Sequence, residues 1–226
     1  MKYLATLCLI ISFFSIATED KVKAVKLDDT ALCYPSAYSP NTSFMKAYLE
    51  PIKDQLDSSE GQELIYIPAQ AIKAKVPEYT ISHINKHGVD FEHKLTGLAY
   101  AKSQIGNPQG MAESAWNIYS ERESVYVEKD PMLPFTRVYA YHKPLFMWHL
   151  VKYPPMKKTD QSLPNDWYIG SCSESAGSFS CRQVTEYKSV HYEYELQAHD
   201  MHLRKEVNDA VKGLLSEWNL KCSDYL

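Results

Sequence analysis

The sequence predicts an α+β fold in which helices pack against an antiparallel sheet. Apolar and polar residues alternate over 190–197, which is the pattern of a long strand with one buried face. From 203 to 218 the apolar residues recur at helical spacing, and Asp200 precedes them as the expected N-cap. Because this helix has one continuous apolar stripe, we expect it to lie against the sheet.

Shorter aromatic and β-branched runs predict the remaining strands, and the pattern is more clearly β from Trp116 onward. A helix is expected from Asn41 or Thr42 to about Leu56, and a shorter one over 69–76. The polar stretch over 154–165 has no periodicity and is expected to be a loop. We place the other strands at 63–68, 94–103, 124–128, 136–142, 145–151 and 167–172.

The first seventeen residues have the pattern of a signal peptide. Lys2 is followed by an apolar run that is too short to span a bilayer, and small side chains precede the expected cleavage after Ala17. Removing these 17 of the 226 residues leaves 209, for which one α+β domain over 18–226 is expected. We therefore expect an exported protein, periplasmic in a bacterium and otherwise extracellular.

Composition narrows the class of partner. The formal net charge of −4 becomes −5 once Lys2 is removed, so the chain has no basic footprint for nucleic acid. Seventeen tyrosines suit half-buried faces and protein interfaces. A protein partner is expected, neither nucleic acid nor a membrane-spanning role is expected, and the oligomeric state is left open.

Four cysteines remain after cleavage, and an even number in an oxidising compartment predicts two disulfides. Cys172 and Cys181 bracket a Ser/Gly-rich turn, so we pair them locally. Cys33 and Cys222 then join the start of the mature chain to its end, where fraying would otherwise begin.

The segment Ser173-Glu174-Ser175-Ala176-Gly177 resembles the G-E-S-A-G nucleophile elbow of carboxylesterases in the α/β-hydrolase family. This resemblance implies a secreted serine esterase with Ser175 as nucleophile, supported by Asp200 or His199. The chain departs from the motif because Ser173 stands where the elbow needs glycine, and strand-like sequence follows where the elbow needs a helix. A hydrolase is therefore the alternative interpretation.

Other polar residues are interpreted as structural. His83, His87 and His93 are interrupted by Gly88, and His199 with His202 lies at an expected helix start, so neither a metal site nor a cofactor is predicted. Glu193 and Glu195 are attributed to a solvated strand face. Asn41-Thr42-Ser43 is a glycosylation sequon that matters only in a eukaryotic producer.

In general layout the chain resembles bacterial periplasmic immunity proteins, which neutralise toxic effectors. The resemblance rests on a signal peptide, one α+β domain and a rigid projecting loop, and no residue motif defines it. It implies inhibition by occlusion, in which a preorganised loop enters the cleft of a toxin. We expect Glu174, Ser175, Ser178 and Phe179 to form this tip, with Phe179 as an apolar anchor that enters the partner. An envelope assembly or adhesion module is a further alternative.

Overall fold

The structure is a computed structural model that describes residues 21–40, 61–85, 87–104, 108–121, 125–154, 163–175 and 178–222. The predicted signal peptide over 1–17, the helix expected up to Leu56 with its sequon, and most of the loop over 154–165 lie outside the described residues.

Eight strands form one antiparallel sheet, as the alternation in the sequence predicts. In chain order they are β3 (Gln62–Ile67), β6 (Leu95–Ala101), β7 (Tyr126–Lys129), β8 (Thr136–Tyr139), β9 (Met147–Val151), β10 (Tyr168–Ser175), β11 (Ser178–Tyr187) and β12 (Val190–Gln197). Their order across the sheet is β3-β6-β12-β11-β10-β9-β8-β7. The last six strands in sequence thus form a meander, and β12 pairs on its other side with β6.

Two further hairpins lie outside this sheet. One consists of β1 (Val22–Leu27) and β2 (Thr30–Pro35), and the other of β4 (Ser82–Ile84) and β5 (Asp90–Glu92). The second hairpin is short and largely exposed, because no larger sheet extends it.

The described helices are α1 (Ala69–Lys73), α2 (Pro108–Glu121) and α3 (Arg204–Lys221). The short α1 and the C-terminal α3 match the predicted helices. The expectation of β structure from Trp116 is wrong at its start, because Trp116 lies within α2. Ala115, Trp116 and Tyr119 are buried at helical spacing, which the sequence analysis did not detect.

The two larger helices contribute to separate cores. The buried stripe of α3 belongs to the main core together with Tyr192 and Tyr194 of β12. The buried residues of α2 form a smaller core with Val151 and Trp167, where the Trp116 and Trp167 rings meet edge-on at 4.8 Å. Since adjacent β9 residues Leu150 and Val151 belong to different cores, the sheet is covered on both faces.

Both predicted disulfides are confirmed. Cys172 and Cys181 face each other across β10 and β11, with a Cα–Cα distance of 4.0 Å. Cys33 on β2 is joined to Cys222, directly after α3, with a Cα–Cα distance of 5.1 Å. These two bridges are consistent with a protein that is secreted into an oxidising compartment.

Asp200 does not have the capping role that the sequence predicts. A 3-10 helix over Ala198–Leu203 precedes α3, which begins at Arg204 without a side-chain cap. Asp200 is fully buried within that 3-10 helix. Asp200 therefore makes tertiary hydrogen bonds, described below, and does not cap a helix.

Candidate functional site

The predicted binding tip is the turn between β10 and β11, where Ser175 and Ser178 are the last paired residues. Glu174 is exposed there. Residues 176–177 and the side chain of Ser175 lie outside the described parts of the structure. The tip is held by pairing with β9 and β12 as well as by the disulfide between Cys172 and Cys181.

Phe179 is not an exposed anchor, which corrects the sequence-based expectation. Its side chain is only 6% exposed, and its ring lies 5.3 Å from that of Trp148. The Arg137 guanidinium stacks over both rings, at 5.1 Å from the Phe179 centroid. Phe179 lies two residues from buried Cys181, and alternate strand residues share a face, so the ring points into the core.

Two exposed apolar residues adjoin the tip on the β9 side. Met147 pairs with Ser173, and the Glu174 amide donates a hydrogen bond to the carbonyl of Phe146 at 2.8 Å. Phe146 is 68% exposed and Met147 53% exposed. Both line an open cavity of about 530 Å³ that also includes Tyr141.

Exposed apolar residues also adjoin the tip on the opposite side. Phe91 of β5 shares a cavity of about 140 Å³ with Ser173 and Ser178. Phe91 and Ile84 are exposed on the short hairpin formed by β4 and β5. We name Phe91, Phe146, Met147 and Glu174 the tip surface.

The elbow expected of a serine hydrolase has the wrong structural context here. A nucleophile elbow connects a strand to a helix. Ser173 and Ser175 lie at the end of β10, and the chain continues directly into the ten-residue strand β11. Asp200, the suggested acid of a catalytic triad, is bonded instead to Thr80 and His93. This arrangement contradicts the elbow interpretation.

Glu193 and Glu195 lie in a network of charged and polar groups. The Arg182 guanidinium is 3.2 Å from the Glu193 carboxylate and 3.9 Å from that of Glu195. The Ser180 hydroxyl donates a further hydrogen bond to Glu195 at 2.8 Å. This pairing across the strands accounts for the acidic alternation in the sequence.

Three histidines meet beside the tip. His83 of β4, His93 after β5 and His199 of the 3-10 helix place one ring nitrogen each within 4.8 Å of the others. We name them the histidine cluster. His83 Nδ1 lies 2.5 Å from His93 Nε2, and the His83 and His199 ring centroids are 4.6 Å apart. His83 also lines the 140 Å³ cavity below Phe91.

Asp200 fixes the deepest member of the histidine cluster. His93 and Asp200 have fully buried side chains, and their Nδ1 and Oδ2 atoms are 2.6 Å apart. The Thr80 amide donates to the other carboxylate oxygen at 2.9 Å. Although burial opposes ionisation, the hydrogen bonds from His93 and Thr80 prevail and lower the pKa of Asp200. The ionised carboxylate thus accepts a hydrogen bond from His93 Nδ1–H, which directs His93 Nε2 towards His83 Nδ1 in the histidine cluster.

His83 favours its neutral form at this site. Burial lowers its pKa, and the neighbouring His93 and His199 add to this effect. Imidazole nitrogens within 4.8 Å of one another can converge on one metal ion, so the cluster is the candidate metal site among the described residues.

No local pattern in the sequence predicts this cluster, because the two groups of histidines lie far apart along the chain. His87 is exposed and lies outside the cluster, and so does His202. The sequence separation of 107 between His93 and Asp200 leaves no local spacing signal. Only the packing of the β4–β5 hairpin against the 3-10 helix brings the two groups together.

None of the described helices is both long and apolar enough to cross a bilayer. No family model, curated protein or solved structure matches the chain. The proposed function therefore rests on the geometry around the turn between β10 and β11.

Proposed function

We propose that the protein is an exported, non-catalytic binding domain that neutralises a toxic effector in the bacterial periplasm by occluding it. The observation that supports this proposal best is the tip surface, in which exposed apolar side chains lie on both sides of a disulfide-bridged hairpin. Large exposed apolar groups that gather around one feature are typical of protein interaction sites. A preorganised hairpin also loses little conformational entropy on binding.

The charges around the tip suggest the chemistry of the partner. Glu174 is exposed at the tip, and exposed Asp90 and Glu92 flank Phe91 on the second hairpin. Carboxylates beside apolar anchors favour a partner cleft that has basic groups at its rim and apolar groups within. We therefore propose an effector with a basic active-site cleft as the occupant.

Export is the first part of the proposal to test. Full-length protein produced in its native cell is fractionated, and the N-terminus of the periplasmic material is sequenced. Export with the expected processing gives Thr18 as the first residue. Uncleaved protein confined to the cytosolic fraction would contradict both the export and the periplasmic role.

Neutralisation is tested by competition between a strain that lacks the gene and its parent, at high cell density on a surface. The deletion strain is expected to be inhibited, and the wild-type gene to restore growth. A tip variant with Phe146→Asp and Glu174→Lys is expected not to restore it, because interface residues at hot spots contribute about 2 kcal/mol or more each.

A matched control carries Leu64→Asp and Glu217→Lys, which make the same types of change at exposed positions on β3 and α3, away from the tip. This control is expected to protect as well as the wild type. Equal growth of the deletion strain and its parent, or full protection by the tip variant, would contradict the proposal. A stable complex with a resident envelope component that the tip variant loses would favour the assembly or adhesion role instead.

A further inference from the structure

We infer that His83, His93 and His199 form a binding site for one divalent transition-metal ion, with Zn²⁺ as the best fit. This site does not depend on the proposed binding function. Three separate segments of the chain bring one ring nitrogen each to within 4.8 Å of the others.

The spacing of these nitrogens suits a tetrahedral ion. Zinc binds imidazole nitrogen at about 2.0–2.1 Å, which places two tetrahedral ligands roughly 3.3 Å apart. The 2.5 Å separation of His83 Nδ1 from His93 Nε2 is shorter than this, and the upper limit of 4.8 Å is longer. A small outward shift of His83 and an inward shift of His199 bring both nitrogens to bonding distance.

The positions of the residues allow these shifts. His93 is 1% exposed and fixed by Asp200, whereas His199 is exposed and His83 lies on a hairpin of only three-residue strands. One rigid ligand and two adjustable ligands can close around an ion without moving the core.

Asp200 provides the outer contact that is usual for a metal-binding histidine. Such histidines almost always donate their second ring N–H to a carboxylate or a carbonyl, which fixes the tautomer and raises the basicity of the ligand nitrogen. His93 Nδ1 and Asp200 Oδ2 are 2.6 Å apart, and both side chains are fully buried. Asp200 is thus a positioning residue for His93.

His83 also lines the 140 Å³ cavity, together with Ser173 and Ser178. The Ser178 hydroxyl is buried and has no hydrogen-bond partner among the described residues. Three imidazole nitrogen ligands favour Zn²⁺ over Mg²⁺ or Ca²⁺, which prefer oxygen ligands.

The test uses the full mature chain after dialysis against EDTA. Zn²⁺ is titrated calorimetrically, and Co²⁺ is added separately to record the visible absorption of a tetrahedral site. We expect one ion per chain. His199→Ala and His83→Ala are expected to weaken Zn²⁺ binding by more than 100-fold, and Asp200→Asn by about 10–100-fold.

The matched controls are His202→Ala and His87→Ala. His202 lies on the same 3-10 helix as His199, and His87 lies in the turn that joins β4, which contains His83, to β5. Both control residues are exposed outside the cluster and are expected to leave affinity unchanged. Thermal melts of the metal-free variants verify folding before each titration.

The site would be refuted if folded wild type bound Zn²⁺ no more tightly than the folded double variant His83→Ala/His199→Ala, or if the control substitutions weakened binding equally. Since no partner protein is present, this result is separate from the competition assay.

Discussion

The two hairpins that form the candidate site differ in how they are held. The β10–β11 hairpin is paired with a strand on each outer side, contains a disulfide and has the Phe179 ring packed beneath it. The β4–β5 hairpin has three-residue strands outside the main sheet. The residues that flank it, Thr80 and His93, are each hydrogen-bonded to Asp200 of the 3-10 helix. One side of the site is thus preorganised, and the other side can adjust.

The largest expected effect contrasts the two phenylalanines. Phe179→Ala removes a buried ring below the rigid hairpin and should lower the free energy of unfolding by about 3–5 kcal/mol. Phe91→Ala, on the adjustable hairpin, removes a ring that is 45% exposed and should cost well under half as much. Urea denaturation of both variants provides the measurement. Equal losses would contradict the difference in burial.

The next effect concerns the disulfide of the rigid hairpin. Replacing Cys172 and Cys181 together by alanine should lower the free energy of unfolding by roughly 3 kcal/mol in the chain-entropy model. Hydrogen exchange should accelerate in β10 and β11 and stay unchanged in β4 and β5. The matched control replaces the next facing pair, Ser173 and Ser180, by alanine, which breaks no covalent link. If both double variants lost the same stability, the bridge would not be what stiffens the tip.

A complementary substitution loosens the other hairpin. Asp200→Asn preserves the shape of the side chain but removes the charge that strengthens two hydrogen bonds, which contribute about 1.5–3 kcal/mol when one partner is charged. Amide exchange at Thr80 and across 82–92 should increase, with little change in β10–β11. Asp209→Asn on α3, where the carboxylate is exposed, serves as the control. Uniform acceleration across the whole sheet would show that Asp200 supports the entire fold and not this hairpin.

The smallest expected effect is a dependence of stability on pH. Burial lowers the pKa of His83, His149 and His191, so the unfolded chain takes up these protons near 6.5 and the folded chain only at lower pH. Between those values the unfolded state binds more protons, and stability therefore falls as the pH decreases below about 6.5. The lowered pKa of Asp200 affects stability only below about pH 3.8, where the carboxyl of the unfolded chain takes up its proton, and therefore does not contribute near pH 6.

Urea denaturation at pH 8 and pH 5.5 measures this dependence. His83→Gln should reduce the difference in stability between the two pH values, because it removes one of the three histidines whose pKa is lowered, whereas His87→Gln on the same hairpin should not. An unchanged difference in the His83→Gln variant would assign the whole effect to His149 and other groups.

The sequence predicts those parts of the fold whose signals are local. Alternation over 190–197 and the helical stripe after it produce β12 and α3, and the bracketed turn predicts the disulfide between Cys172 and Cys181. The sequence analysis did not identify α2, although Ala115, Trp116 and Tyr119 have helical spacing, because aromatic residues also favour strands.

The candidate site was less predictable, because it depends on contacts between distant segments. Glu174 has the exposed position expected at the tip, but the Phe179 side chain lies on the buried face of β11. Since successive strand residues point to opposite faces, a shift of one residue decides whether a side chain is exposed or buried. No spacing rule connects His93 with Asp200 over 107 positions. Local patterns thus specify the sheet, and tertiary packing creates the histidine cluster.

The bond between Cys33 and Cys222 encloses most of the 226-residue chain, with a sequence separation of 189. An extracellular protease that cuts one peptide bond between these two cysteines would therefore leave both fragments attached to each other. Such a nicked molecule would migrate as one species on a gel until a thiol reductant is added, so cleavage in the surrounding medium need not release either piece.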